Sequence, residues 1–230
     1  MPAKYKKTII CLANSRKLAG RCVAGKEIAG STIGAWIRPV SSRPTGELSE
    51  RERRFLNGQD PKLLDVIAVS MVEPRPHAFQ TENHLIDDRY YWIKHREATW
   101  DVLKAALDPA AGPLWDNSSS GYNGLHDRIE EGEANKLVGS LRLIEVRNLN
   151  IAVAVEGAEV GNPHRKVRGR FTHHSARYCL AVTDPIAEDR SLAGADGEFD
   201  IGYAILCISL GEPYKGYAYK LIAGVFLERQ

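Results

Sequence analysis

Asn14-Ser15-Arg16-Lys17, followed by Arg21 and Lys26, gathers amide, hydroxyl and cationic groups into a short stretch. Guanidinium forks suit phosphate oxygens and base edges. The stretch reads as a binding loop just past a strand end, where loops carry function on a rigid scaffold; a solvated turn is the plain alternative. In Trp36-Ile37-Arg38-Pro39-Val40, alternation puts Trp36, Arg38 and Val40 on one strand face. Trp36 would then stack a base while Arg38 holds its phosphate, although the same string also suits a core tryptophan beside an arginine paired with an acid. Arg89-Tyr90-Tyr91-Trp92-Ile93-Lys94-His95-Arg96 interleaves aromatic and basic residues most densely. Aromatic planes accept any base, at roughly 1 to 3 kcal/mol per stacked base, and Tyr91 is taken as a contact. The competing reading is a strand that feeds Tyr90 and Trp92 into a core.

Charge is segregated along the chain. Thirty-one basic against 29 acidic residues leave a net charge of +2. Yet Lys4, Lys6, Lys7, Arg16, Lys17, Arg21 and Lys26 all precede the first carboxylate, Glu27. A second stretch holds Arg165, Lys166, Arg168, Arg170 and Arg177 with His164, His173 and His174, again without an acid, while Glu130, Glu131, Glu133 and residues 184–200 carry the compensating charge. Such segregation can focus positive potential on one face.

Other chemistry is poorly supported. Gly20 to Lys26 matches GxxxxGK, but Glu27 stands where a phosphate-binding loop needs a hydroxyl on magnesium, and residues 28–40 read as a strand instead of a helix. GxSxG, a cysteine with His and Asn partners, and a catalytic pair of carboxylates are the patterns for nucleophilic or acid–base work, and none has a recognisable local form. His173 and His174 would point to opposite faces of a strand, poor geometry for one metal, and no cluster has zinc spacing. The expectation is no metal, no cofactor and no assigned catalytic residue. Cys11, Cys22, Cys179 and Cys207 include no CxxC pair and are read as inert thiols in a reducing compartment.

The elements that must position these groups are mostly strands. Runs rich in β-branched and aromatic residues recur at 8–13, 33–40, 64–72, 141–146, 151–155, 177–183, 202–210 and 217–227. One convincing helix spans 97–107, where Trp100, Leu103 and Leu107 repeat at three and four residues before Asp108-Pro109, and 50–56 suits a short second one. There is no βαβ alternation and no sequence repeat. The expected fold is mostly β: two small OB-like β barrels with one or two short helices. A cut near residue 135 leaves 1–135, with the helix and a connecting segment, and 136–230, whose five strands and short closed form answer the edge-strand problem. With 43% apolar and 26% charged residues the chain suits a packed globular core. No apolar run approaches the ~18 residues of a membrane helix, no signal-peptide pattern opens the chain, and a cytoplasmic, soluble protein is expected.

Several strings resemble the bacterial dual OB-containing domain proteins: Leu12-Ala13-Asn14-Ser15-Arg16-Lys17, Gly20-Arg21-Cys22-Val23-Ala24-Gly25-Lys26, Gly34-Ala35-Trp36-Ile37-Arg38-Pro39-Val40, Ser209-Leu210-Gly211-Glu212-Pro213 and Tyr219-Lys220-Leu221-Ile222-Ala223. Lying toward both ends, they extend the resemblance over nearly the whole chain. It implies two OB-type barrels and, by fold analogy, binding of nucleic acid or nucleotides. The leading expectation is an accessory protein for single-stranded DNA or RNA, contacting it through the loop from Asn14 to Lys26 with Trp36 and Arg38, and extended by Arg165 to Arg177. The rival is a nucleotide or modified-base sensor or enzyme with a pocket near Cys22, Lys26 and Arg38. A third reading is a protein-interaction adaptor, favoured if the basic stretches pair internally with the acidic ones. Nucleic acid or nucleotide is the expected partner, no membrane is, and protein partners stay open.

Overall fold

In a computed structural model, residues 4–109, 112–158 and 161–228 are described. The chain divides into two compact units, Met1–Leu107 with Val138–Ser140, and Asp108–Leu137 with Leu141–Gln230. Residues 108–135, which the sequence reading joined to the first unit, fall in the second, because backbone pairing ties them there: Leu125 exchanges two hydrogen bonds with Cys179 (3.2 and 3.0 Å), and residues 128–130 pair with 217–219.

The first unit is built from β1 (Tyr5–Lys17), β2 (Gly20–Ala29), β3 (Thr32–Val40), α1 (Glu50–Arg53), β4 (Asp65–Pro74), β5 (Asn83–Ile86), β6 (Ile93–Glu97) and α2 (Trp100–Ala105). Its ring runs β1-β2-β3-β5-β4 and closes by β1 pairing with β4, while β6 pairs with β4 alone. Only the β3–β5 step in the ring is parallel. Ile9, Cys11, Val23, Ile37, Ile67, Val69 and Met71 fill the interior with Leu48, Phe55, Ile86 and Trp92. Between β3 and β4, Ser49 and Glu52 form a capping box that starts α1.

In the second unit, β7 (Arg128–Glu130) and α3 (Glu131–Ala134) precede β8 (Leu141–Glu156), β9 (His164–His173), β10 (Ala176–Val182), α4 (Pro185–Leu192), β11 (Gly197–Leu210) and β12 (Tyr217–Phe226). The ring is β8-β9-β10-β12-β11, closed between β11 and β8, with β7 added outside β12. Its one parallel step, β10 with β12, again joins the third and fifth strands. Both units thus repeat one closed five-strand order with a helix between strands three and four, although no sequence repeat announces it.

Three differences from the sequence reading have physical causes. The expected loop 14–26 is a hairpin: β1 continues to Lys17 and returns as β2, with Arg16 opposite Arg21 and Lys17 opposite Gly20. The expected strands 141–146 and 151–155 are one strand, because β11 shifts register between Asp200 and Ala204 opposite its middle and lets the pair bend without breaking. The basic stretch 164–173 is β9, whose inward Val167, Gly169 and Phe171 alternate with outward Arg168, Arg170 and Thr172. At Gly169 a Cβ would lie 2.3 Å from Ile222 Cδ1 and 3.3 Å from Leu149 Cδ1, so any larger residue would have to displace these side-chain ends.

Candidate nucleic-acid interface

Most of the predicted contacts of the first unit are engaged within it. The Asn14 amide donates to the Pro61 carbonyl (2.7 Å), buried Ser15 donates to Cys22 O (3.5 Å), and Lys17 Nζ donates to Thr45 O (2.5 Å). Arg16 is exposed, and Arg21 and Cys22 are half-buried. Lys26, expected on a contact surface, is buried with Nζ 5.5 Å from the centroid of half-buried Trp36. Arg38 is buried as well. Its guanidinium meets Glu82 at 3.0 Å, Asn83 Oδ1 at 3.3 Å and Ser140 Oγ at 2.8 Å, and the Ser140 hydroxyl in turn donates to Glu82. The parallel β3–β5 pairing causes this by setting Asn83 opposite Arg38. Of the aromatic-basic string, Trp92 enters the core, whereas Tyr91 is exposed with Arg54 5.7 Å from its ring centroid.

In the second unit most of the β9 cations meet carboxylates. Arg165 bonds Asp196 (2.7 Å) and the carbonyls of Leu192 and Gly194. Arg168 grips Glu156 with two bonds (2.6 and 2.9 Å) and lies 3.8 Å from Asp127. Burial opposes ionisation of Glu156, but Arg168, Asn123 and Lys166 together outweigh it and hold that carboxyl below its usual value. Arg170 meets Glu198 at 2.6 Å, both side chains about half exposed. Lys166 is half-buried on the same outward set of positions. Exposed Arg177 has no ion-pair partner among the described residues.

A groove of about 610 Å3 opens over the outer face of β8, β9 and β10. Strand register orders its floor into two rows. Asn150, Arg170 and Cys179 stand opposite one another across the three strands. Beside them, Thr172 stands opposite Arg177 and is joined to Asn148, whose amide donates to Thr172 Oγ1 (3.0 Å) and accepts from Thr172 N (3.1 Å). The β9–β10 turn is the two-residue His174-Ser175, both with positive φ (45° and 62°), the backbone twist that matches a tight hairpin. His174 therefore lies in the turn and not along a strand, edge-on to His173 at 4.6 Å between centroids; burial first, then His174, lowers the pKa of His173.

The segment containing Tyr122, Asn123, Gly124 and Leu125 walls the groove. It is fixed from beneath. The Tyr178 hydroxyl accepts from Leu114 N (3.0 Å) and the Asn117 amide (2.8 Å), and its ring stacks on Phe171 at 5.3 Å. Buried Lys220 donates to Asp116 O (2.5 Å) and Asn117 Oδ1 (2.7 Å), and Gly121 N donates to Asp127 (2.6 Å). Tyr122, 87% exposed, stands at the rim. Of the individually predicted contacts Arg170 lines this groove, and Thr172 and Arg177 lie within the expected extension from Arg165 to Arg177; sequence reasoning missed Asn148, Asn150 and Tyr122. Their alternation along strands, Asn148-Leu149-Asn150 and Arg170-Phe171-Thr172, was the available signal.

Among the described residues no group of three or more His, Cys, Asp or Glu side chains could hold a metal ion, and no helix is long and apolar enough to cross a membrane. Two closed five-strand barrels with a parallel third–fifth step and a helix before the fourth strand make this an OB-fold protein, mostly β with short helices. The chain belongs to the dual OB-containing domain family, whose model matches residues 7–225. None of the curated proteins and none of the solved structures searched matches it.

Proposed function

We propose that this protein binds single-stranded nucleic acid through the outer face of β8, β9 and β10 in its second unit. The observation that carries this reading is the groove itself. It lies on the second- and third-strand face that OB barrels use for oligonucleotides, and its floor offers amides, a hydroxyl and two arginines. A nearly fully exposed tyrosine stands at its rim. Arg177 attracts phosphate, Asn150 and Thr172 offer hydrogen bonds to bases, and Tyr122 stacks an unpaired base; Arg170 is held by Glu198. The first-unit residues Asn14, Ser15, Arg16, Lys17, Arg21, Lys26, Trp36 and Arg38 are not used in this reading, because several are engaged inside their own barrel.

Fluorescence anisotropy with labelled single-stranded DNA and RNA tests it. Tyr122→Ala, at an exposed position, is expected to weaken binding by about tenfold, within the 1 to 3 kcal/mol of one stacked base, and to leave the melting temperature unchanged. Full affinity in this variant and in Arg177→Ala would refute the assignment of this face.

A further inference from the structure

We infer that the groove is a one-nucleotide site, with Arg177 at the phosphate and Asn150 at the base edge, an inference that rests on the nucleic-acid reading above. Three observations converge. First, a groove of about 610 Å3 falls within the roughly 300 to 1,000 Å3 of small-molecule sites. Second, charge is limited. Arg165, Arg168 and Arg170 each face a carboxylate, Asp196, Glu156 and Glu198. Arg177 is the groove arginine with no ion pair among the described residues. A surface that tracks many phosphates needs many such cations; this one serves about one phosphate. Third, Asn148 spends both sides of its amide on Thr172. Asn150 has no side-chain partner among the described residues, which leaves an acceptor and two donors for a base edge.

The spacing agrees. Asn150 and Arg177 lie on strands two apart and in adjacent rows, which sets their Cα atoms about 12 Å apart. Both side chains line the groove, with Tyr122 at its rim, and in the inferred site Tyr122 covers the base between them. A free mononucleotide and one unstacked residue of a strand present this same chemistry.

The test titrates the full-length protein with each nucleoside 5′-monophosphate and with single strands of 4, 8 and 16 nucleotides between 50 and 200 mM salt. The inference predicts saturable mononucleotide binding, little gain with length beyond the number of registers, and a log–log salt slope near −0.7, that of about one phosphate. Arg177→Ala should weaken all four mononucleotides alike. Asn150→Ala should level their ranking, and Asn150→Asp, which keeps size and strand position, should reorder it. Tight binding of the longer strands with a slope near −3 and no mononucleotide binding would overturn the one-nucleotide site while leaving the single-strand reading intact. Mononucleotide binding without any gain for strands upholds the site and overturns the polymer reading; no binding of either overturns both.

Discussion

Glu198 is the most informative residue to change, because its carboxylate occupies the groove arginine that a second phosphate would need. The Arg170–Glu198 pair is 2.6 Å long with side chains 53% and 45% exposed. Such a surface pair contributes only about 0 to 1 kcal/mol, which caps what its removal can add to phosphate binding. In Glu198→Gln, Arg170 becomes available beside Arg177, and the phosphates contacted rise from about one to about two. For single strands the log–log salt slope should therefore steepen from about −0.7 to about −1.4. Raising salt from 50 to 200 mM then costs the native protein about threefold in affinity and the variant about sevenfold, against about fiftyfold if Arg165, Arg168, Arg170 and Arg177 all met phosphate. At low salt the variant should bind tighter, by at most about fivefold, the factor equivalent to 1 kcal/mol. Anisotropy titrations of one labelled oligonucleotide at four salt concentrations measure both quantities. An unchanged slope in the variant, or a native slope already near −3, would refute the reasoning.

Three further outcomes concern the scaffold. Burial lowers the Lys220 ammonium to about 8, against the attraction of Asp116 and Asp127, while an unfolded lysine keeps its proton to 10.5. Stability should therefore rise with pH above 8, by about 2 kcal/mol between pH 8 and 9.5; denaturant titrations at both pH values should show the rise, and Lys220→Met should lack it. Glu82→Ala removes the partner of buried Arg38 and should cost about 3 to 5 kcal/mol in the first unit, read as a lower unfolding midpoint. Leu18 is 76% exposed at φ 51° in the β1–β2 turn. Leu18→Gly should stabilise by about 1 kcal/mol by removing a left-handed side chain, visible as a raised midpoint.

Local pattern made most of the strands legible, and β3, β10 and β12 lie within about a residue of the expected runs, because β-branched and aromatic residues end at clear turns. Two features stayed hidden for different reasons. Helix α4 sits in an acidic stretch with little apolar periodicity, so only Asp184 as its cap and Pro185 in its first turn mark it. On β9 the density of arginines drew attention to charge, and the glycine at the inward position 169 blurred an otherwise regular alternation. The partners that neutralise those arginines are 12 residues away at Glu156 and 28 away at Glu198, separations that only strand pairing resolves. Arg38 illustrates the same limit: its neighbours Glu82 and Ser140 reach it through the β3–β5 pairing and a returning segment, neither encoded near Arg38 itself. The candidate site was accordingly less legible than the fold, because its members Asn150, Arg170, Thr172, Arg177 and Tyr122 come from three strands and a connecting segment.

Amide chemical-shift mapping with a short single-stranded oligonucleotide tests the central claim most directly. The largest changes are expected at residues 122–125, 148–150, 170–172 and 177–179, with the β1–β2 hairpin of the first barrel unmoved. Changes centred instead on residues 14–26 and 36–38, with the second barrel silent, would contradict the account.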